Sequence, residues 1–211
     1  MENKQKIIHD IMLLAPVIPV VVVEEVGHAV KLAKALVAGG LPAIEVTLRT
    51  PVALEALKAI AEEVEGAFAG AGTVVTPAQI KQVEEAGAKF MVSPGVSENL
   101  LDAADDSPLP LLPGTATASE VMRLGERGYG HMKFFPGSLA GGAPYLKALS
   151  GPLPDYRFCP TGGVSLANAG EYLGLQNVLC VGGSWVAPKN LVEARDWDGI
   201  TKIAREAAGL K

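Results

Sequence analysis

Short apolar segments recur along the chain at a nearly constant interval. Eight such segments are present, at residues 17–23, 43–48, 67–72, 89–92, 109–112, 131–135, 157–159 and 178–181. Their centres lie about 20–25 residues apart, which leaves room for one helix between each pair. Their length and their content of β-branched residues are typical of buried strands.

The intervals between these segments are predicted to be helices. Residues 26–38 carry apolar side chains at helical spacing and stop at Gly39 and Gly40, a common stop signal. Residues 51–64 are predicted to form a helix with Thr50 as a possible cap and Pro51 at the first helical position. Residues 77–86 show the same pattern, with Thr76 as the possible cap and Pro77 at the first position. Weaker helical patterns fill later intervals, at residues 97–104, 117–127, 142–149 and 165–172. A leading helix (4–14) and a closing helix (197–208) frame the set.

Regular alternation of strands and helices predicts a parallel sheet, because parallel strands need crossover connections. Eight units predict an α/β protein with a (β/α)₈ TIM barrel and an additional N-terminal helix. The rival is an open, doubly wound sheet with fewer strands. The number of units and the lack of any break in composition favour the barrel, with residues 1–211 forming one domain.

Composition limits the possible classes of protein. The chain has 211 residues, of which 49% are hydrophobic and 19% charged, so a sizeable core is expected and disorder is not. The formal charge is −5, which argues against a nucleic-acid partner. The longest apolar run, residues 13–23, is too short to span a bilayer and contains two prolines. Cys159 and Cys180 lie in predicted strands, and we expect two reduced core cysteines in a cytoplasmic protein.

Polar residues alternate with apolar ones in the second predicted strand. Glu45, Thr47 and Arg49 share one face. In a barrel this face would line the lumen, whereas in an open sheet it could be the solvated face of an edge strand. We favour the lumen, because a barrel leaves no open edge.

The sixth predicted strand places His131, Lys133 and Phe135 on one face. Burial among apolar side chains lowers the pKa of a lysine and makes a neutral amine available for Schiff-base chemistry with a carbonyl compound. The alternative is a buried Lys133–Glu45 ion pair without chemistry, and the residues alone leave both possibilities open.

Glycines and small residues end several of the strands. Small residues before Thr73 leave space in the lumen, and the last two strands are predicted to end in the pairs Gly162–Gly163 and Gly182–Gly183. Exposed backbone amides at strand-to-helix turns bind anions, and the loops after strands 7 and 8 of a barrel often hold phosphate. No histidine cluster has the spacing of metal ligands, so we predict no metal.

Six ordered motifs resemble the 2-keto-3-deoxy-6-phosphogluconate (KDPG) aldolase family. They are EVTLRT at 45–50, GAGTV at 70–74, VSPG at 92–95, KFFP at 133–136, RFCPTGG at 157–163 and GGSW at 182–185. The resemblance implies a class I aldolase that needs no metal or cofactor and is usually a homotrimer. The implied reaction is reversible cleavage of KDPG to pyruvate and glyceraldehyde 3-phosphate, in the Entner–Doudoroff pathway, together with cleavage of 4-hydroxy-2-oxoglutarate (KHG).

The resemblance also implies a role for each motif residue. Lys133 would be the Schiff-base lysine and Glu45 the general acid and base. The expected substrate-binding residues are Arg49, Thr73, Pro94 and Phe135 near pyruvate, and Thr161, Gly162, Gly163 and Ser184 near the distal hydroxyl and phosphate groups. One departure is visible, because the family commonly has Ala-Glu where this chain has Gly137 and Ser138.

Three alternatives remain open at this point. The first is a sibling aldolase that acts on 6-phosphogalactonate derivatives or on unphosphorylated keto acids. The second is a phosphate-binding barrel lyase or isomerase in which Lys133 acts only electrostatically. The third is a non-catalytic phosphosugar-binding protein, which is the weakest because binding alone does not need a buried lysine and carboxylate.

Overall fold

The computed structural model describes residues 1–210, in which strands and helices alternate. The helices are α1 (Glu2–Leu13), α2 (Val26–Ala38), α3 (Ala53–Glu63), α4 (Pro77–Glu85), α5 (Glu98–Asp106), α6 (Ala118–Glu126), α7 (Gly142–Leu149), α8 (Ala169–Leu173), α9 (Lys189–Glu193) and α10 (Trp197–Ala208). The strands are β1 (Val17–Val21), β2 (Ala43–Thr47), β3 (Phe68–Gly72), β4 (Phe90–Val92), β5 (Leu111–Leu112), β6 (Gly114–Thr115), β7 (His131–Phe134), β8 (Arg157–Pro160) and β9 (Val181–Gly183).

The strands close into an eight-stranded parallel barrel. The order β5-β4-β3-β2-β1-β9 forms one sheet and β6-β7-β8 forms the other. Pro113, which has no N–H to donate, separates β5 from β6, so these two segments are one interrupted strand. At the other junction, the parallel bridges Phe158–Val178 and Thr161–Gly182 join β8 to the segment that contains β9. The barrel prediction is therefore confirmed, and the open-sheet alternative is wrong.

The helix predictions hold best where the signals are local. The predicted bounds of α2, α7 and α10 agree with the structure. Thr76 caps α4 in a capping box with Gln79, which satisfies two exposed donors at the start of the helix. The predicted helix at residues 165–172 is shorter in the structure, where α8 begins at Ala169, and α9 was not predicted.

The expected cap at Thr50 is wrong. Helix α3 begins at Ala53 with Val52 in the cap position, and no side chain caps it. The Thr50 Oγ1 instead donates to the Val23 carbonyl at a distance of 2.6 Å. This hydrogen bond ties the loop after β2 to the loop after β1, so a tertiary contact has taken the place of a local cap.

The last strand lies later in the chain than predicted. Val178 forms only an isolated bridge, while β9 includes the pair Gly182–Gly183. A Cβ on Gly182 would overlap Thr161, and one on Gly183 would overlap the ring of Trp185. These glycines are therefore strand residues that allow close side-chain approach, and they do not form a turn after the strand.

Helix α1 covers the amino-terminal end of the barrel. Its buried residues Ile8, Ile11 and Met12 belong to a core cluster whose other members come from the barrel. These are the strand residues Ile18, Ala43, Phe90, Val92, Leu112 and Cys159, together with Cys180 just before β9. Full burial of each large aliphatic side chain contributes about 1.5–3 kcal/mol. The leading helix therefore closes one end of the lumen and leaves the carboxyl end of the strands for a site.

Both cysteines lie in this covered layer, and neither forms a disulfide bond. None of the helices within residues 1–210 has the length and apolar character needed to cross a membrane.

Candidate active site

A lysine and a glutamate meet inside the barrel. The Lys133 Nζ donates to the Glu45 Oε1 at 3.1 Å, and the two side chains are only 5% and 4% exposed. Lys133 comes from β7 and Glu45 from β2, so the pair spans the lumen between strands that are 88 residues apart in the chain. The alternation of polar and apolar residues correctly predicted that both side chains point inward.

Glycines on β3 make the space that this pair occupies. A Cβ on Gly72 would overlap the Glu45 carboxylate, and a Cβ on Gly70 would overlap the ring of Phe90. The lumen beside β3 is therefore filled by side chains from neighbouring strands. Because Gly72 has no side chain, the Glu45 carboxylate can lie directly against the β3 backbone.

Phe135 connects the lysine to the loop after β8. The Lys133 Nζ lies 5.4 Å from the centre of the Phe135 ring, within range of a cation–π contact. On its other side, the ring lies so close to Gly162 that a Cβ there would be 3.3 Å from two ring atoms. Phe135 thus forms a wall between the lysine and the Gly162 turn.

Arg49 and Thr73 lie just beyond the carboxyl ends of β2 and β3. The Arg49 Nε donates to the Thr73 Oγ1 at 3.4 Å, and the arginine is exposed. Thr73 has a φ of 61°, a conformation that is strained for a β-branched residue. Strain of this kind costs about 1–3 kcal/mol and is concentrated at functional sites. This backbone conformation directs the Thr73 hydroxyl towards Arg49.

The turn at Pro94 follows the next strand around the barrel. A Cβ on Gly114 would overlap the Pro94 backbone, so the turn packs directly on the interrupted fifth strand. The Gly114 N–H donates to the Ser93 Oγ at 3.4 Å. Arg49, Thr73 and Pro94 therefore follow three consecutive strands along one rim.

The turn after β8 carries the predicted glycine pair. Gly162 and Gly163 have φ values of 94° and 74°, which favour glycine. Thr161, before them, is buried and lies against Gly182, and its Oγ1 donates to the Cys159 carbonyl at 3.4 Å. Backbone amides at a strand-to-helix turn can bind anions, so this turn is a candidate site for an anion.

Ser184 begins the loop after β9, and its side chain is exposed. It lines a cavity of about 500 Å³ between this loop and the loop after β1, together with His28, Lys189 and Arg195. The Lys189 Nζ contacts the Glu24 Oε1 across this cavity at 3.0 Å. Lys133 and Glu45 do not line the cavity, so it is separate from the lysine–carboxylate pair.

His131, predicted to face the same way as Lys133, lies at the opposite end of the barrel. Its Nε2 contacts the His9 Nδ1 of α1 at 2.9 Å, and its Nδ1 contacts the Gln5 Oε1 at 3.1 Å. Burial lowers the pKa of His131 to about 4, and the charges of His9 and Arg157 act in the same direction. His131 therefore attaches α1 to the barrel and lies apart from the lysine.

Sequence reasoning gave no role to two residues that shape the site. The sequence pattern marks Gly72 only as a small residue that leaves space, although its position against Glu45 is specific. It marks Ser138 only as a departure from a family pattern, although the Ser138 hydroxyl lies against Gly163. No local signal reveals either contact, because each joins segments that are distant in the chain. Within residues 1–210, no group of three or more His, Cys, Asp or Glu residues could hold a metal ion.

These features define a (β/α)₈ barrel with a buried lysine–carboxylate pair and an adjacent glycine turn. The model of the KDPG and KHG aldolase family matches residues 8–203, and the chain belongs to this family. It is 53% identical over 198 residues to the 2-dehydro-3-deoxy-phosphogluconate aldolase of Pseudoalteromonas atlantica, which covers 94% of this chain and 92% of the relative. It is 51% identical to the KHG/KDPG aldolase of Escherichia coli K12, covering 98% of this chain and 97% of the relative.

A solved structure agrees with this assignment. The KDPG aldolase of Legionella pneumophila superimposes with a TM-score of 0.93 and 47% identity, covering 95% of this chain and 98% of that one. That crystal structure contains pyruvate captured at low pH as a covalent carbinolamine intermediate.

Proposed function

We propose that this protein is a class I aldolase that reversibly cleaves KDPG to pyruvate and glyceraldehyde 3-phosphate. The observation that carries the proposal is the 3.1 Å contact between the Lys133 Nζ and the Glu45 Oε1 in the closed lumen. Two relatives at 53% and 51% identity are named for KDPG cleavage, and one of them also for KHG. The same pair serves both substrates, because the reacting atoms of the two are alike.

The chemistry begins with the lysine amine. Glu45 is close enough to accept a proton from Lys133, which leaves a neutral nucleophile. Attack on the substrate ketone gives a carbinolamine, and loss of water gives an iminium ion. The iminium accepts the electron pair of the bond between carbons 3 and 4 as that bond breaks.

Glu45 moves the protons of the carbon–carbon cleavage. It takes the proton from the carbon-4 hydroxyl, directly or through water, while that carbon becomes the aldehyde of glyceraldehyde 3-phosphate. The remaining enamine then takes a proton at carbon 3, and hydrolysis of the resulting imine releases pyruvate and the free lysine. General acid–base catalysis of this kind contributes about 10²–10⁴-fold.

The two ends of the substrate fit the two sides of the site. Arg49 offers a planar pair of donors for the keto-acid carboxylate, and its contact with Thr73 orients it. Pro94 and Phe135 bound the pyruvate portion. We assign the distal hydroxyl and phosphate groups to Thr161, Gly162, Gly163 and Ser184, where the turn offers backbone amides and Ser184 an exposed hydroxyl group.

Trapping of the imine tests this function directly. Incubation with pyruvate and borohydride should add one reduced pyruvate to Lys133, as located by peptide mass mapping. Lys133→Arg keeps the positive charge but cannot form the imine, so it should lose both the adduct and turnover. Lys147→Arg removes an exposed lysine of α7 and serves as the matched control, with normal trapping and turnover.

The outcome separates the open alternatives. An unmodified Lys133 combined with pyruvate production would refute the covalent mechanism and favour a barrel lyase in which the lysine is only electrostatic. The value of kcat/KM should be measured for KDPG, its galactonate epimer and the unphosphorylated sugar acid. A higher value for either of the last two would identify the protein as a sibling aldolase that prefers that substrate. A protein that binds these compounds without turnover would be a binding protein.

We also propose that the chain is a single barrel domain that acts as a cytoplasmic homotrimer. One continuous core cluster extends from β1 to α10, which supports one domain. The absence of a disulfide between the buried cysteines fits a reducing compartment.

Large apolar side chains are exposed, including Leu139 at 87% and Met122 at 54%, and association into a trimer would cover such groups. Sedimentation equilibrium measures the oligomeric state.

A further inference from the structure

The cavity between the loops after β1 and β9 has a volume of about 500 Å³, which is in the range of small-molecule sites. Its walls are largely aliphatic and are supplied by residues 20–23, Leu32 and Val192. Of the residues assigned to the aldolase reaction, only Ser184 lies on its edge. The cavity therefore offers apolar surface that the lysine chemistry does not use.

Three carboxylates and two cations also line this cavity. The Lys189 Nζ lies 3.0 Å from the Glu24 Oε1 and 3.7 Å from the Glu193 Oε1, so this lysine is shared between two carboxylates of the protein itself. The other two charged residues are Arg195 and Glu25. They are the cation and the carboxylate that a ligand in the cavity can meet.

Arg195 presents a pair of unused donors. Its Nε donates to the His28 Nε2 at 3.0 Å, and its two terminal nitrogens make no hydrogen bond within residues 1–210. The His28 ring is supported by an edge contact with Trp197, with 5.7 Å between the ring centres. Arg195 has a φ of 56°, a left-handed conformation that is uncommon for residues other than glycine. The guanidinium group is thus held at one nitrogen, while its planar fork stays free for a carboxylate.

Glu25 supplies a carboxylate beside this fork. Its Oε2 lies 3.5 Å from the same His28 Nε2 that accepts from Arg195. Because this nitrogen accepts a hydrogen bond, it carries no proton to donate to Glu25. In the part of the chain that the structure describes, the Glu25 side chain has no other polar partner. A guanidinium fork and a carboxylate therefore lie side by side on one histidine, and neither is paired within the protein.

We propose that this cavity is a second binding site, which takes a zwitterionic α-amino acid with an aliphatic side chain. The α-carboxylate accepts from the Arg195 fork, the α-ammonium group faces Glu25, and the side chain packs on residues 20–23 and Val192. A simple anion fits less well, because the carboxylates of the lining outnumber its cations. A simple cation leaves the Arg195 fork without a partner. A zwitterion satisfies both charges and covers the aliphatic wall.

Isothermal titration calorimetry of the full chain with L-leucine tests the proposal. L-leucine should bind at one site per chain with a Kd below about 1 mM, and a larger Kd overturns the proposal. Three further probes each lack one feature: 4-methylpentanoate lacks the ammonium group, 3-methylbutylamine the carboxylate, and glycine the aliphatic side chain. Each should bind at least about tenfold more weakly than L-leucine. Equal binding of 4-methylpentanoate or of 3-methylbutylamine overturns the zwitterion, and equal binding of glycine overturns the role of the aliphatic wall.

Two substitutions locate the ligand in this cavity. Arg195→Gly removes the fork, and glycine suits the left-handed backbone, so the variant should fold and its Kd for L-leucine should rise about 10- to 100-fold. Glu25→Gln keeps the shape of the side chain without its charge and should raise the Kd about tenfold. Arg205→Ala removes an exposed arginine of α10 that does not line the cavity, and this control should leave the Kd unchanged. A folded Arg195→Gly protein that binds L-leucine as tightly as the wild type overturns the proposal.

Titration in the presence of excess pyruvate separates this cavity from the lysine site. The Kd for L-leucine should stay within about twofold, because the two ligands occupy different places. A Kd that rises in proportion to the pyruvate concentration would place the amino acid at Lys133 and overturn the proposal. The titrations measure binding without turnover, so their outcome does not depend on whether pyruvate and borohydride modify Lys133.

Discussion

The contact between Gly72 and Glu45 offers a sharp test of the site, because a single methyl group can move the carboxylate. In Gly72→Ala, the new Cβ would lie 2.6 Å from the Glu45 Cγ and 2.7 Å from its Cδ. Non-bonded carbon atoms prefer separations of about 3.5–4.0 Å, so the glutamate must move by about 1 Å. The contact between the Glu45 Oε1 and the Lys133 Nζ, now 3.1 Å, would then lengthen to about 4 Å and no longer be a hydrogen bond.

This displacement should affect catalysis more than stability. Misplacement of a catalytic group by about 1 Å costs on the order of 10²-fold in rate, which corresponds to about 2.7 kcal/mol of activation free energy. Adding a methyl group to a packed interior costs about 1–3 kcal/mol of folding free energy, which a barrel of this size can tolerate. We therefore expect a folded protein with kcat for KDPG reduced about 100-fold.

The assay compares two alanine substitutions in the same strand. Gly70→Ala overpacks the lumen, where the nearest atoms to the new methyl group belong to the Phe90 ring, so it should lose stability but keep kcat. Both variants are measured by thermal unfolding and by steady-state cleavage of KDPG, with rates divided by the folded fraction. Adding Glu45→Asp to Gly72→Ala shortens the displaced side chain, so the double variant should lose less activity than the two single effects predict.

One result would refute this reasoning. If Gly72→Ala folds and keeps kcat within about threefold of the wild type, the position of the Glu45 carboxylate does not limit the reaction. An equal loss of kcat in Gly70→Ala would show that general overpacking is the cause and that the contact with Glu45 is not.

Three further predictions concern the carboxylate, the effect of pH and the leading helix. Glu45→Gln should slow both KDPG cleavage and exchange of the pyruvate methyl protons by about 10²–10⁴-fold, and a change in KM alone would contradict the acid–base assignment. The His131 pKa is lowered from 6.5 to about 4, so the unfolded chain binds the proton first as the pH falls, and stability should decrease between pH 6.5 and 4. Because His131 is partly exposed, this loss is about 1–2 kcal/mol, and urea unfolding of His131→Gln should show a flatter pH profile. Ile8→Ala opens a cavity under α1 and should cost about 2–5 kcal/mol in urea unfolding while kcat stays unchanged, since Ile8 lies at the opposite end of the barrel.

Local patterns in the sequence predicted much of this molecule. The alternation of polar and apolar residues identified the inward faces of β2 and β7, because successive strand residues point to opposite sides of a sheet. The Thr76–Pro77 signal correctly located the cap and the first residue of α4. The recurrence of eight units indicated the closed barrel. The strand alternation and the helix cap depend on residues within a few positions of one another, and the barrel was indicated by a local pattern that recurs along the chain.

Other features depended on contacts between distant segments. Thr50 precedes a predicted helix and has the residue type of a cap, but in the fold its hydroxyl donates to the Val23 carbonyl. The short helix α9 had no pattern of its own. His131 shares a strand face with Lys133, yet α1 covers its end of the barrel and engages it through His9. Local propensity is a weak preference, and a tertiary hydrogen bond or a covered surface can override it.

The sequence by itself determined which side chains face the lumen, and the tertiary structure decided which of them meet. Lys133 and Glu45 are 88 residues apart, and only closure of the ring brings their charges to 3.1 Å. The same holds for Gly72 beside Glu45 and for Ser138 beside Gly163. The periodicity of a strand specifies a direction, whereas the distance between two strands follows from the packing of the whole barrel.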